Sequence, residues 1–164
     1  MALVSLAERG RPINILIVED NKTDALLAQR CFKESKVPSN IVVAEDGAVA
    51  LQKLQAVRDG VDPFMPDFIL LDLNLPKVKG ISVLKFAKQD PVLRHIPVLV
   101  LTGSNRESDI QECYANHVNG YMIKPDNAFD LKEMVQAIEI FWFATMIVPP
   151  AKEDLEGMTQ AQTA

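Results

Sequence analysis

Short apolar runs, each followed by a helical pattern, constrain this chain more than any other feature. Four stand out: Ile13-Asn14-Ile15-Leu16-Ile17-Val18, Ile41-Val42-Val43-Ala44, Phe68-Ile69-Leu70-Leu71-Asp72-Leu73 and Val98-Leu99-Val100-Leu101, with a weaker fifth at Tyr121-Met122-Ile123. Most are nearly continuous rather than alternating, as strands are when both faces of a parallel sheet are covered. Between them, apolar residues recur at three- and four-residue spacing: Ala25, Ala28 and Phe32; Val49, Ala50, Leu54 and Val57; Ile81, Leu84 and Phe86; Leu131, Met134, Val135 and Ile138. Ser104-Asn105-Arg106-Glu107 matches a capping box and predicts a further helix through Tyr114. Five βα alternations predict an α/β fold, a five-stranded parallel sheet of order 2-1-3-4-5 in a three-layer α/β/α sandwich with right-handed crossovers. Ligands of such sheets bind beyond the C-terminal strand ends at the switch point, here between strands one and three.

The 164 residues suit one domain, expected over 12–148. A domain near that size buries roughly 68–70% of its unfolded surface and needs no covalent or metal staple. Gly60 to Asp67, with Pro63 and Pro66, reads as a spacer, and residues 149–164, opening with Pro149-Pro150 and almost without apolar content beyond them, read as a disordered tail. Cys31 and Cys113 form no CxxC pair, which fits a reducing cytoplasm. Lys+Arg 17 against Asp+Glu 22 leaves a net charge of −5, a poor footprint for nucleic acid. The N-terminus lacks a signal-peptide core, and the greasiest run, Ile140 to Val148, is far shorter than the roughly 20 residues of a membrane span, so a soluble chain without a membrane partner is expected.

Chemistry gathers at the strand ends. Strand one ends in Glu19-Asp20, and strand three carries Asp72 one residue before its expected end. Acids at strand ends can simply cap the next helix. Asp72 resists that reading, because an unpaired carboxylate inside a run of Ile and Leu is costly to bury. On neighbouring strands the three acids share one rim, and two charges about 4 Å apart repel by roughly 4 kcal/mol at an effective dielectric of about 20. An all-oxygen ligand set of this kind selects a hard cation, and Mg²⁺ is the natural choice. Strand four delivers Thr102, and strand five delivers Lys124 before Pro125. Singly these mean little, since Thr is common at strand ends and a lone Lys is usually solvated. Together, a hydroxyl, an ammonium and a metal about a carboxylate suit the oxygens of an aspartyl phosphate.

These residues resemble the receiver domain of two-component response regulators, a flavodoxin-like fold. The motifs are Leu16-Ile17-Val18-Glu19-Asp20-Asn21, Leu70-Leu71-Asp72-Leu73-Asn74-Leu75-Pro76 with Gly80, Val98-Leu99-Val100-Leu101-Thr102, and Gly120-Tyr121-Met122-Ile123-Lys124-Pro125. The segments Leu73-Asn74-Leu75-Pro76-Lys77, Asp90-Pro91-Val92-Leu93-Arg94-His95-Ile96-Pro97 and His117-Val118-Asn119 bring it nearest to the single-domain regulators paired with cyanobacterial phytochromes. The resemblance implies Asp72 as phosphoacceptor for a sensor histidine kinase, a phytochrome. It implies Mg²⁺ held by Glu19, Asp20, Asp72 and the Asn74 backbone carbonyl, with Thr102 and Lys124 on the phosphoryl oxygens. Tyr121 would be the rotameric switch and Lys124–Pro125 a cis bond, with output through a changed surface on the fourth helix, fifth strand and fifth helix. Glu19 stands where many receivers carry Asp.

After Glu139 the last helix turns apolar on every side, with Ile140, Phe141, Trp142, Phe143 and Ile147. Either the sheet edge covers it or a second copy does. A homodimer is expected, with Phe141, Trp142, Phe143 and Ile147 as interface candidates. His95 and His117 read as fillers rather than phosphodonors. The expected role is therefore a signalling phosphoacceptor that assists its own phosphorylation and dephosphorylation rather than an enzyme. A Mg²⁺-dependent aspartyl-nucleophile phosphohydrolase would share the acid, Thr and Lys types but wants an acid where Asn74 stands, and a phosphorylation-independent interaction module is the other rival. An FMN carrier is weaker, because Glu19-Asp20 would repel the FMN phosphate.

Overall fold

The structure is a computed structural model that describes residues 4–150. Five strands, β1 (Ile13–Val18), β2 (Ser39–Ala44), β3 (Phe68–Leu71), β4 (Val98–Thr102) and β5 (Gly120–Ile123), form one parallel sheet in the order β2-β1-β3-β4-β5. Five helices alternate with them: α1 (Lys22–Glu34), α2 (Gly47–Arg58), α3 (Gly80–Gln89), α4 (Glu107–Ala115) and α5 (Ala128–Ile138). The expected architecture is the one observed. The reading of residues 149–164 as a tail falls, from 151 on, outside the described residues.

Successive strand side chains point to opposite faces, which explains why the runs are continuous. Leu16, Val18, Ile69, Leu71, Val98 and Val100 pack under α2, α3 and α4 with Leu54, Leu84 and Cys113. Ile15, Ile17, Phe68, Leu70, Leu99 and Leu101 pack under α1 and α5 with Ala28, Phe32, Leu131 and Val135. Each such Leu, Ile or Val contributes roughly 1.5–3 kcal/mol by leaving water.

Helix starts follow local chemistry. The Asn21, Asp46 and Asn127 side chains each accept an N–H from the first turn of α1, α2 and α5. The capping box expected at Ser104 does not form. The backbone is still extended at Arg106, so α4 begins at Glu107, and the Ser104 hydroxyl donates to the Asp109 carboxylate at 2.5 Å. A charged acceptor in the first turn outcompetes the backbone arrangement. At the other end of α4, His117 takes a left-handed conformation (φ 63), letting the Val118 N–H reach the Cys113 carbonyl at 3.1 Å and its own N–H reach Tyr114 at 3.1 Å. His117 is thus a helix-stop residue.

The apolar segment after α5 divides between the two readings of it. Residues Glu139–Thr145 form a π-helical turn rather than a continued α-helix. Phe143 is buried, its ring edge-on to Phe68 at 5.4 Å and 5.7 Å from Phe32. Trp142 is half-buried against Phe68 at 6.0 Å. Phe143 therefore leaves the set of interface candidates, because the sheet edge already covers it, and Trp142 is largely committed in the same way. Ile140, Phe141 and Ile147 are exposed. A π turn offsets the register by one residue per turn, which swings Phe143 inward and Phe141 outward. Arg9, from the short turn beside Leu6–Glu8, fastens the end of this segment by donating to the Val148 and Pro149 carbonyls at 2.9 and 3.0 Å.

Candidate phosphoacceptor and metal site

Sheet register brings the chemistry together. Val18 pairs with Leu71, Leu71 with Val100, and Thr102 with Ile123, so the next residue on each of β1, β3 and β5 emerges at one rim. Backbone bonds extend the ladder by one step, with the Asp72 N–H on the Val18 carbonyl at 3.0 Å and the Lys124 N–H on the Thr102 carbonyl at 2.8 Å. Regular pairing of β3 ends at Leu71, so Asp72 is the first residue past the strand and not its penultimate one.

One oxygen from each of Glu19, Asp20 and Asp72 lies within 4.8 Å of the others. Glu19 and Asp72 are buried and Asp20 is exposed. Lys124 Nζ sits 3.0 Å from Asp72 Oδ2, 3.1 Å from Asp24 Oδ2 and in direct contact with the Glu19 carboxylate. The other Asp72 oxygen, Oδ1, accepts the Asn74 N–H at 3.1 Å, and Glu19 Oε1 accepts the Asn21 N–H at 3.0 Å. Thr102 is fully buried and accepts the Ser104 N–H at 3.4 Å, and the Tyr121 hydroxyl donates to the Ser104 carbonyl at 2.9 Å. A Cβ on Gly80 would stand 2.1 Å from the Asp72 carbonyl oxygen, so only glycine lets α3 start this close to the phosphoacceptor candidate.

One ammonium thus contacts three carboxylates, Glu19, Asp24 and Asp72, and Asp20 adds a fourth acid to the same rim. Burial pushes the Glu19 carboxyl up to about 7, against the hydrogen bonds it receives from Lys124 and Asn21. Burial also works against the Lys124 charge, but Glu19 and Asp72 outweigh it and hold the ammonium above its usual range. The residual negative charge and the all-oxygen donor set fit a hard divalent cation between Glu19, Asp20 and Asp72.

The expected residues Glu19, Asp20, Asp72, Thr102 and Lys124 all reach this rim, with Asn74 adjoining it through its backbone N–H and Tyr121 through the bond of its hydroxyl to the Ser104 carbonyl. The Lys124–Pro125 bond is trans, not cis as the resemblance implies. Trans is the isomer X–Pro bonds favour by about 0.5–1 kcal/mol, and β5 delivers Lys124 to the acids in this form. Asp24 was not anticipated. Its signal is its place three residues after the helix cap Asn21, which puts it in the first turn of α1 above the acid pair. Ser104 and Asp109 were likewise missed as partners, because their spacing reads first as capping.

A model of the response regulator receiver domain family matches residues 15–139. The chain belongs to this family. Response regulator Rcp1 of Synechocystis is 44% identical over 144 residues, 88% of this chain and 98% of that protein. The structure of Rcp1 in its Mn²⁺-bound form superposes with a TM-score of 0.79 at 43% identity, covering 85% of this chain and all of that one. The structure of the phosphorylated cyanobacterial phytochrome response regulator RcpA gives 0.81 at 42% identity, again over 85% of this chain and 100% of that one. As a receiver, the protein has a divalent-metal site at the acid cluster and a sensor histidine kinase as its class of partner. Among the described residues no helix is long and apolar enough to cross a membrane.

Proposed function

We propose that this response regulator accepts a phosphoryl group on Asp72 from a phytochrome histidine kinase and signals by remodelling the face formed by α4, β5 and α5. The observation that carries the reading is the placement of Lys124, held at 3.0 Å from Asp72 Oδ2 while three carboxylates converge beside it. The identity of this chain with Rcp1 and RcpA, the second named as a phytochrome response regulator, supports the choice of kinase.

In the transfer, an Asp72 oxygen forms an O–P bond as the P–N bond of the kinase phosphohistidine breaks, and the electron pair of that bond stays on the imidazole, which takes up a proton. The Asn74 N–H and the Lys124 ammonium orient the two Asp72 oxygens. Lys124 then pairs with the charge on the transferred group, and the Thr102 hydroxyl donates to one of its oxygens. When bound, a divalent ion supplies charge neutralisation for the phosphoryl oxygens, and Mg²⁺ is the ion we assign, since it keeps water positions open to phosphate. Glu19, Asp20 and Asp72 would hold it, with the Asn74 carbonyl as a further oxygen donor.

The protein acts as phosphoacceptor and not on a separate substrate, for Asn74 stands where a phosphohydrolase of the aspartyl type would want its second acid. The exposed Tyr114, Ile123 and Phe129 lie on α4, β5 and α5, and Ile140, Phe141 and Ile147, in the segment after α5, are exposed as well; apolar residues open to solvent in this number support a homodimer. Two free, buried cysteines suit the reducing cytoplasm, where we place the protein. Incubation with an autophosphorylated phytochrome kinase tests the pairing. Label should move within seconds to the wild type and not to Asp72→Asn, and transfer to both proteins or to neither would defeat it.

A further inference from the structure

Ser104 is the hub of the connection between β4 and α4. Its N–H donates to Thr102 Oγ1, its carbonyl accepts from the Tyr121 hydroxyl, and its hydroxyl donates to Asp109 Oδ2. The same Asp109 oxygen takes Arg106 Nε and Nη2, both at 3.0 Å, and the Arg106 N–H points back to Ser104 Oγ at 3.4 Å. Asp109 lies in the first turn of α4, where the helix dipole favours a carboxylate, and its side chain is only 19% exposed. One residue therefore touches both the hydroxyl that would meet a phosphoryl oxygen and the ring that would respond to it. Its backbone serves both partners at once in a loop shape that its side chain ties to α4.

We propose that Asp109 is a positioning residue for the switch: by anchoring the Ser104 hydroxyl and the Arg106 guanidinium, it holds the loop so that the Ser104 carbonyl captures Tyr121, and so biases the ring toward its engaged arrangement. The proposal rests on the reading of Thr102 and Tyr121 as parts of a phosphoryl-responsive switch. By linkage, whatever favours the engaged ring favours phosphoryl uptake, if uptake favours the engaged ring. Arg106 is 70% exposed and supplies charge to the cluster rather than a buried contact.

The chain has two tyrosines, so Tyr114→Phe leaves Tyr121 as the single reporter in fluorotyrosine-labelled protein. In that background, Asp109→Ala and Ser104→Ala should each move the Tyr121 fluorine resonance toward that of solvated tyrosine. The double variant should move it no further than Asp109→Ala alone, since both single variants already lack the Ser104–Asp109 contact. An unmoved resonance in Asp109→Ala, or additive shifts in the double variant, overturns the proposal. In parallel, the fraction of protein labelled at a fixed, subsaturating concentration of acetyl phosphate with Mg²⁺ should fall about fivefold in Asp109→Ala. An unchanged fraction counts against the latch. Wild type taking no label would defeat the phosphoacceptor reading instead, while the resonance still decides whether Asp109 positions Tyr121.

Discussion

At the residue scale, the site is a balance of burial against charge. Glu19 and Asp72 lie almost out of water, and what stabilises them is one lysine and two backbone N–H groups. Such a balance leaves no slack in the backbone that carries Asp72. Gly80 shows this most sharply, because an added Cβ would meet Asp72 and Leu73 backbone atoms at 2.1 and 2.6 Å. Gly80→Ala should cost about 3 kcal/mol, a fall of roughly 6–12 °C in melting temperature, and should weaken divalent-ion binding as Asp72 is displaced. Calorimetry with and without Mg²⁺ checks both, and a variant that melts and binds like the wild type would show that the loop can yield. Cys113 is a quieter case. Burial pushes its thiol up to about 11, so native protein at pH 8 should resist thiol reagents at this position and react only once unfolded.

At the element scale, the C-terminal π turn decides what the last helix presents. Phe143→Ala should destabilise by about 3–5 kcal/mol in urea denaturation, since it empties a site between Phe32 and Phe68. Phe141→Ala, measured in dilute solution, should stay within about 0.5 kcal/mol of wild type. Equal losses would mean that both rings are core. The sequence made the sheet readable because strand runs covered on both faces have almost no polar gap, and Glu19, Asp72, Thr102 and Lys124 were legible because each follows or ends such a run. What stayed hidden depends on three-dimensional offsets. A run of apolar residues cannot reveal a π turn, so Phe143 and Phe141 look alike until the register slips. Ser104 reads as a cap because the extended backbone at Arg106 leaves no local signature, and the Arg9 bonds to Val148 and Pro149 join residues about 140 positions apart.

At the scale of the whole molecule, a parallel sheet gathers the candidate site at one rim while exposed apolar residues on α4, β5 and α5 and in the segment after α5 are left for a partner to cover. Light scattering at micromolar concentration should give twice the chain mass, and Phe141→Ala with Ile147→Ala should shift it toward one chain; a monomeric wild type would remove the dimer from the account. The central claim is that Asp72 becomes an acyl phosphate with the help of Lys124 and a divalent ion. The direct measurement is to treat the protein with acetyl phosphate and Mg²⁺, reduce it with borohydride, and locate the reduced residue by peptide mass spectrometry. Reduction to homoserine at position 72, abolished by chelator and strongly diminished in Lys124→Ala, is the expected result. Modification at another carboxylate, or none at any, would contradict the account.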